Sequence, residues 1–199
     1  PALVLAKGGF VSFPVAIGAW LDGVRVIIHE SDSILGRSNR LLLLIAFRVL
    51  VAFPKNFYPF LTRRKMIRVG IPIRPEFKET PLPKQRAILI MGGSQGSKYL
   101  NQMVKELAPK LLKKVKLIHI CGQENLKEMA KFRDSLGKKE QQKYQLLGFS
   151  PKIAQLIKKS TLIISRAGAT SLVEIAKIKR PVILIPFPYA ASAHQLNNA

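Results

Sequence analysis

Two short glycine-containing loops carry the residue types that could bind phosphate. Residues 92–97 (GGSQGS) follow the apolar run 87–91, residues 165–169 (SRAGA) follow the apolar run 161–164, and a helix pattern comes after each loop. Glycine lets a ligand approach the backbone, and the first N–H groups of the following helix lack helical partners and carry partial positive charge. Each loop therefore predicts a phosphate site, and two such loops in one parallel-sheet pattern indicate a nucleotide-sugar diphosphate.

The first loop also matches the nucleophile elbow G-x-S-x-G of serine hydrolases. Ser94 would be the nucleophile, and Asp134 and His194 follow it in the order Ser, Asp, His. Asp134 lies in a lysine-rich helix pattern, where pairing with a neighbouring cation in solvent is its ordinary role, and this interpretation leaves the second loop unexplained. The serine hydrolase interpretation stays open as the weaker alternative. Neither loop has the spacing of a P-loop or of the G-x-G-x-x-G dinucleotide fingerprint.

Side chains at the second loop have more than one interpretation. Glu174 could form a capping box with Ser171, in which its carboxylate satisfies a backbone N–H at the helix start. It could equally accept both hydroxyls of a ribose, because those hydroxyls are donors that need a fixed acceptor. Arg166 directly follows an apolar strand, so we expect it to lie outside the core with its planar guanidinium on a phosphate.

Composition limits the proteins to which these loops can belong. The chain has 199 residues, of which 48% are hydrophobic, enough for one large core or for parts of two domains. Its 33 Lys and Arg against 11 Asp and Glu give a net charge of +22, which predicts anionic partners such as phosphates, nucleic acid or an acidic membrane. The single Cys121 excludes an internal disulfide, and no apolar run is long enough to span a bilayer.

Strand and helix patterns alternate along the whole chain, which predicts an α/β fold with parallel sheets covered on both faces. We expect a proline-rich linker at 54–83. We also expect the chain to be a piece of a longer protein, since it starts without Met and stops in a helix pattern. The predicted strands are 2–6, 24–29, 48–53, 87–91, 115–120, 143–148, 161–165 and 182–186, and the predicted helices are 11–21, 37–47, 97–113, 124–136, 151–159 and 170–177.

Five motifs in register resemble one family. They are residues 8–12 (GGFVS), 29–32 (HESD) with Gly36 and Asn39, 92–97, 165–169 with Glu174, and 194–195 with 198–199. In this combination the chain is similar to the MurG family of glycosyltransferase family 28, the bacterial UDP-N-acetylglucosamine transferases that convert lipid I to lipid II in peptidoglycan synthesis.

The resemblance implies a GT-B fold of two Rossmann-like, doubly wound parallel-sheet domains, both incomplete in this chain. Residues 1–75 would be the C-terminal half of the N-terminal acceptor and membrane domain plus the linker, and residues 76–199 most of the C-terminal UDP-sugar domain. It implies an inverting hexosyltransferase without metal or cofactor. The usual catalytic base of the family is a His in a glycine loop that would precede Pro1, so we expect the 199-residue chain alone to be inactive.

Site residues follow from the resemblance, position by position. Those implied to bind UDP-N-acetylglucosamine are Asp32, Arg74, Ser94, Ser150, Arg166, Ala169, Thr170, Ser171, Leu172, Val173, Glu174 and Gln195. Of these, Ser94 would contact the diphosphate, Glu174 the ribose and Gln195 the sugar hydroxyls. Residues implied on the side of the lipid I acceptor are Gly9, Phe10, His29, Glu30 and Asn39. The motif HESD places Asp32 where many members of the family have Asn.

The family also implies a peripheral protein on the cytoplasmic face of the inner membrane, and the charge pattern independently favours an anionic phospholipid surface. Residues 33–75 contain nine Lys and Arg, no acid and several aromatic residues. A solvated basic face with ordinary core aromatics explains the pattern equally well. A nucleic-acid-binding module is the rival of another class, but no DNA- or RNA-reading motif is present, so we expect no specific nucleic acid. Another UDP-sugar lipid glycosyltransferase is the nearest enzymatic alternative.

Overall fold

The computed structural model describes residues 1–93, 95–187 and 194–199, without the side chain of His194. The chain forms two compact units: the first unit is residues 1–72 with 187–199, and the second unit is residues 73–186. The predicted boundary after residue 75 lies close to this division. The structure differs in grouping 187–199 with the first unit, because side-chain contacts of the C-terminal helix, described below, hold it there.

The first unit is a four-stranded parallel sheet in the order β1-β2-β3-β4. The predicted helix 37–47 already ends at Leu42. Residues 66–68, which lie inside the predicted linker, form the strand β4, whose Met66 pairs with Val49 of β3. The elements are β1 (Leu3–Ala6), α1 (Ser12–Leu21), β2 (Arg25–Glu30), α2 (Arg37–Leu42), β3 (Arg48–Val51), β4 (Met66–Arg68) and, at the C-terminus, α8 (His194–Asn198), with 3₁₀ turns at Lys55–Phe57 and Phe60–Lys65.

The second unit is a five-stranded parallel sheet in the order β7-β6-β5-β8-β9. Its elements are β5 (Ala87–Met91), α3 (Lys98–Leu111), β6 (Lys116–Ile120), a 3₁₀ turn at Gln123–Asn125, α4 (Leu126–Asp134), α5 (Lys138–Lys143), β7 (Tyr144–Leu147), α6 (Ile153–Lys158), β8 (Leu162–Ser165), α7 (Ala169–Ile178) and β9 (Val182–Leu184).

Two helix predictions in the second unit were wrong in detail. The helix expected at 124–136 ends at Asp134, and the separate helix α5 follows it. The helix expected at 151–159 is α6, which begins at Ile153 with Lys152 as its N-cap. The Ser150 hydroxyl accepts a hydrogen bond from the Lys152 backbone N–H, 3.2 Å away, in a turn just before the helix.

Alternating side chains place a core on each face of the second sheet. Leu89 and Met91 of β5 belong to one buried cluster, while Ile90 between them belongs to the other. One cluster includes residues of α6 and α7 and the other includes residues of α3 and α4. The sheet is therefore covered on both faces, as expected for a doubly wound domain.

The strand order reverses between β5 and β8. In open parallel sheets, such a switch point leaves a crevice beyond the carboxyl ends of the strands, where ligands bind. Both glycine loops begin at this place, since one follows β5 and the other follows β8. In the described part of the chain, no helix has the length and apolar character needed to cross a membrane.

Candidate functional site

An open cleft of about 250 Å³ lies at the carboxyl edge of the second sheet, at its switch point. It combines an apolar floor with a few polar groups, which is the usual composition of a ligand site. Four of the predicted residues line it together, namely Arg74, Ser150, Ser171 and Glu174. The other lining residues are Met91, Gly93, Ile120, Phe149, Pro151 and Ile153.

The glycines of the first loop have different roles. A Cβ on Gly92 would come within 2.6 Å of the Ser97 backbone nitrogen, and one on Gly96 would collide with the Cys121 carbonyl oxygen. These two glycines let the loop pack on itself and on the next strand end. Gly93 has a φ of +89° and open space where a Cβ would be, so it is the glycine that faces the cleft. Ser94, the predicted diphosphate contact, lies outside the described residues.

A buried hydrogen-bonded chain supports this loop from below. The Asn101 amide nitrogen donates to the Cys121 carbonyl, 3.1 Å away, and its Oδ1 lies 3.0 Å from His119 Nε2. The Tyr144 hydroxyl lies 2.8 Å from His119 Nδ1. Because Asn101 Oδ1 only accepts, Nε2 carries the proton and Nδ1 accepts from Tyr144. Burial lowers the pKa of His119 to about 4, which keeps the ring neutral. This role was not predicted from the sequence, in which a histidine inside an apolar strand is the one sign of it.

Helix α7 begins at Ala169, with Gly168 as its N-cap, so the capping-box interpretation of Ser171 and Glu174 is wrong. Both residues already lie within the helix, and their side chains line the cleft. The backbone N–H groups at the start of α7 include those of Ala169, Thr170 and Ser171, which have no acceptor within an ideal helix. They give this side of the cleft partial positive charge. The predicted residues Leu172 and Val173 follow them in the helix and are partly buried.

The Glu174 carboxylate is the acidic group of the cleft. Its Oε1 lies 3.7 Å from Nη2 of Arg74, and its side chain is 14% exposed. Burial raises the pKa of Glu174, and the charge of Arg74 opposes that rise. Arg74 itself contacts the exposed Glu76 at 3.3 Å and lies over the buried ring of Phe77, with 5.0 Å to the ring centroid. The carboxylate therefore has a fixed cation on one side and the open cleft on the other.

Arg166 departs from its prediction. It is buried, and its guanidinium donates to the carbonyls of Ile185 at 3.0 Å and Pro186 at 2.9 Å and to the Ser97 hydroxyl at 2.8 Å. The expectation that it lies outside the core was wrong, because backbone carbonyls at the end of β9 and the N-cap of α3 supply acceptors for a buried guanidinium. Arg166 thus joins the two glycine loops from within the fold.

The predicted acceptor-side residues lie in the first unit. The Glu30 carboxylate is buried and accepts from the backbone N–H groups of Asp32 at 3.0 Å and Gly36 at 2.8 Å. It also accepts from the Asn39 amide at 2.9 Å. His29, likewise buried, lies 3.0 Å from the Gly70 carbonyl through Nε2. Glu30 and His29 therefore make contacts that shape the loop after β2.

Asn39 lies below the glycine turn that follows β1. Its Oδ1 is buried and has no hydrogen-bond partner among the described residues. A Cβ on Gly8 would come within 3.2 Å of the Asn39 amide nitrogen, so glycine allows the turn to lie over this side chain. Gly9 also has a positive φ, with open space around it, and Phe10 is 91% exposed. The turn thus presents backbone and an aromatic ring to solvent.

Asp32 holds the C-terminal helix of the first unit. Its Oδ1 accepts from the Asn198 amide at 2.8 Å, and both the backbone N–H and the hydroxyl of Ser33 donate to Asn198 Oδ1. The buried Tyr58 hydroxyl donates to the Asp32 carbonyl at 2.8 Å, and burial raises the pKa of Tyr58 to about 12. Gln195, predicted to contact sugar hydroxyls, accepts from the Phe187 N–H at 2.9 Å through Oε1.

The rival chemistries receive little support from the described residues. Asp134, the acid of the hydrolase alternative, is exposed at the end of α4, where its carboxylate accepts from Arg133 at 2.9 Å. A triad acid is instead buried and oriented toward its histidine. Within the described ranges, no group of three His, Cys, Asp or Glu is placed to hold a metal ion.

Comparison with solved structures defines the class. The chain superposes on the crystal structure of Acinetobacter baumannii MurG with a TM-score of 0.70 and 29% identity, covering 99% of this chain and 56% of that one. The glycosyltransferase of kitacinnamycin gives a TM-score of 0.68 at 13% identity, over 100% of this chain and 60% of that one, which supports the fold alone. The chain therefore has the parallel-sheet architecture of GT-B glycosyltransferases.

Sequence comparison defines the family. The model of the glycosyltransferase family 28 C-terminal domain matches residues 87–199, and that of the N-terminal domain matches residues 1–51. A UDP-N-acetylglucosamine--N-acetylmuramyl-(pentapeptide) pyrophosphoryl-undecaprenol N-acetylglucosamine transferase from Bacillus cereus is 36% identical over 210 residues, which cover 100% of this chain and 57% of the relative. The chain belongs to glycosyltransferase family 28, and it spans little more than half the length of the relatives it matches.

Proposed function

We propose that this chain is part of an enzyme that transfers N-acetylglucosamine from UDP-N-acetylglucosamine to lipid I, the undecaprenyl-pyrophosphoryl-linked N-acetylmuramyl pentapeptide, and so forms lipid II. The observation that carries the proposal is Glu174 beside Arg74 in an open cleft at the sheet switch point. The name and 36% identity of the Bacillus cereus relative support the choice of donor and acceptor.

The donor would lie along the cleft of the second unit. Glu174 would accept the ribose hydroxyls, and the diphosphate would bind to the N-terminus of α7 and to Ser94. Phe149 is 61% exposed at the rim, and together with Ser150 it would meet the uracil. Arg74 would balance the charge of Glu174 and reach the donor, while Arg166 would act indirectly by fixing Ser97.

Catalysis would depend on stabilising the leaving group. The acceptor hydroxyl attacks the anomeric carbon, the bond from that carbon to the diphosphate oxygen breaks, and the hydroxyl proton passes to a general base. The negative charge that develops on UDP would be stabilised by the N–H groups at the start of α7. These groups are fixed before the reaction, so they need no reorganisation as the charge develops.

The acceptor would bind to the first unit. Gly9 and Phe10 would meet it at the exposed turn after β1, and the buried Asn39 would act indirectly by supporting that turn under Gly8. Glu30 and His29 would keep the neighbouring loop in shape. Asp32 would contribute through Asn198, and Gln195 would contact the sugar. A lipid-linked acceptor also requires the enzyme to work at a membrane surface.

We place the enzyme on the cytoplasmic face of the inner membrane, peripherally bound to anionic phospholipid. The second 3₁₀ turn of the first unit supports this, because Phe60 is 78% and Leu61 88% exposed beside Arg64 and Lys65. Apolar side chains next to cations suit a headgroup layer. Phe60→Ser with Leu61→Ser should reduce co-sedimentation with anionic vesicles. The control pair Leu82→Ser with Leu107→Ser, at side chains of the second unit that are 59% and 41% exposed, should not. Equal binding of both variants to the vesicles would argue against membrane contact through Phe60 and Leu61.

Ligand binding to the chain itself tests the proposed function. Isothermal titration should detect UDP and UDP-N-acetylglucosamine competing for one site, with much weaker binding of ADP. Glu174→Ala should abolish the heat of UDP binding. Glu76→Ala, which removes the exposed partner of Arg74, should leave the heat of UDP binding nearly unchanged. Failure of UDP to bind, or equal binding of ADP, would remove the basis of the proposal.

A further inference from the structure

The amino edge of the second sheet, opposite the cleft, carries a concentration of lysine that the proposed function does not use. We propose that this edge binds an acidic segment of a partner protein. The basic edge is defined here by Lys84, Arg86, Lys113, Lys114, Lys116, Lys138, Lys139, Lys143 and Lys159. These residues lie just before or at the starts of β5, β6, β7 and β8, or on α5 and the turns beside it. The inference stands independently of the sugar donor and acceptor.

Charge on the basic edge is almost entirely of one sign. Three adjoining grooves open along it, and among their lining residues, all of them described, Glu140 is the one carboxylate. Glu140 is already engaged, since its Oε2 accepts from the Gly137 N–H at 2.9 Å. Lysines this close together repel one another, so a partner that supplies carboxylates would gain affinity from every cation it approaches.

The shape of the basic edge suits a chain that can enter it. The three grooves have volumes of about 460, 330 and 510 Å³, and Lys143 lines all of them. Gln85, Gln142 and Gln145 lie between the cations, and their amides can both donate to and accept from a peptide backbone. An extended acidic peptide would therefore find both charge and hydrogen-bonding groups along one continuous path.

Other polyanions fit the basic edge less well. None of the large apolar side chains that are exposed in the described chain lines the grooves, whereas the surface of the first unit at Phe60 and Leu61 combines such side chains with cations. A flat bilayer also cannot enter the grooves. Single-stranded nucleic acid is usually bound by stacking its bases on aromatic rings, and the groove linings contain none. The chemistry favours carboxylates on a polypeptide.

Two variants of equal charge test the proposal in the 199-residue chain. Lys114, Lys116 and Lys139 are exposed on the basic edge, and Lys127, Lys131 and Lys177 are exposed on helices elsewhere in the second unit. Each set is changed to Gln, and binding of a fluorescein-labelled peptide of alternating glutamate and serine is followed by anisotropy. The edge variant should bind about tenfold more weakly than the unchanged chain, and the control variant about as tightly as the unchanged chain.

Parallel titrations separate the possible partners. An equal loss of peptide binding in the two variants would overturn the proposal, because it would reflect net charge alone. A loss confined to the edge variant but seen only with phosphatidylglycerol vesicles, or only with a single-stranded oligonucleotide, would also overturn it in favour of that partner. UDP binding should be the same in the edge variant and the unchanged chain, so failure of the basic edge and failure of the donor cleft give different results.

Discussion

Glu174 and Arg74 face each other at the cleft of the second unit, with 3.7 Å between Oε1 and Nη2. Arg74 comes from the segment before β5, and Glu174 comes from the second turn of α7, one hundred residues later. The pair leaves one side of a mostly buried carboxylate open to the cleft. This arrangement fits an acceptor for neutral hydroxyl donors, since Arg74 opposes the rise in the pKa of Glu174 that burial causes and leaves some of the carboxylate's lone pairs open.

Glu174→Gln should weaken UDP binding roughly tenfold to a hundredfold, because hydrogen bonds to a charged acceptor contribute about 1.5–3 kcal/mol. Titration calorimetry with UDP and with its 2′,3′-dideoxy analogue checks this. If the carboxylate contacts the ribose, the variant should bind the two ligands with similar affinity, while the unchanged chain prefers UDP. A preference for UDP that survives the substitution would contradict the ribose contact. Glu76→Gln is the matched control, since Glu76 is the exposed partner of Arg74.

Stability of the second unit should fall between pH 6.5 and about 4 because of His119. Burial lowers its pKa to about 4, so in this range the unfolded chain takes up a proton that the folded chain does not. Unfolding therefore becomes easier as the pH falls, and the contribution, about 3 kcal/mol, is fully present above pH 6.5. Hydrogen exchange of the β6 amides at several pH values measures it.

His119→Asn is the control for the pH effect. It should lower protection at neutral pH, because it breaks the contacts with Asn101 and Tyr144, and it should flatten the pH dependence of β6. A variant that keeps the full pH dependence would assign the effect to another group. Tyr144→Phe removes one hydrogen bond and leaves the imidazole, so its pH dependence should remain.

Arg166→Lys should lower the stability of the second unit by about 3 kcal/mol, because one ammonium nitrogen cannot replace both Nη1, which donates to the carbonyls of Ile185 and Pro186, and Nη2, which donates to the Ser97 hydroxyl. Uridine, UMP and UDP should then lose affinity by similar factors, as the loop between β5 and α3 loosens. A direct phosphate ligand would give the opposite result, with unchanged stability and a loss confined to UDP. Arg133→Lys, on the exposed end of α4, should change neither property.

The positions of the glycine loops could be predicted from local sequence, whereas the position of Arg74 could not. The loops follow buried strands, and the carboxyl ends of parallel strands meet at one edge, so Gly93 and Glu174 come together by topology. The path of the segment that carries Arg74 depends instead on tertiary contacts. Phe77 is buried in the core, and the buried Arg180 donates to the Thr80 carbonyl at 2.8 Å.

Burial of polar groups was the other feature that local patterns did not reveal. A charged residue after a strand ordinarily lies in solvent, and Arg166 is buried only because free carbonyls from distant segments surround it. Asn198 likewise accepts a hydrogen bond from the backbone N–H of Ser33, although most of the chain separates the two residues in sequence. Such partners are set by how the elements pack, which the spacing of residues along the chain does not specify.

Gly96→Ala and Gly93→Ala should differ in their main effect, although both glycines have a positive φ and belong to the same loop. At Gly96 a methyl group would collide with the Cys121 carbonyl, so the loss of stability should be about 3 kcal/mol or more. At Gly93 it meets no atom, and the left-handed backbone alone costs roughly 1–2 kcal/mol. Because Gly93 lines the cleft, its variant should fold but bind UDP markedly less tightly. Thermal melting and UDP titration of both variants measure the two effects, and a Gly93→Ala chain that binds UDP normally would show that the diphosphate does not approach this loop.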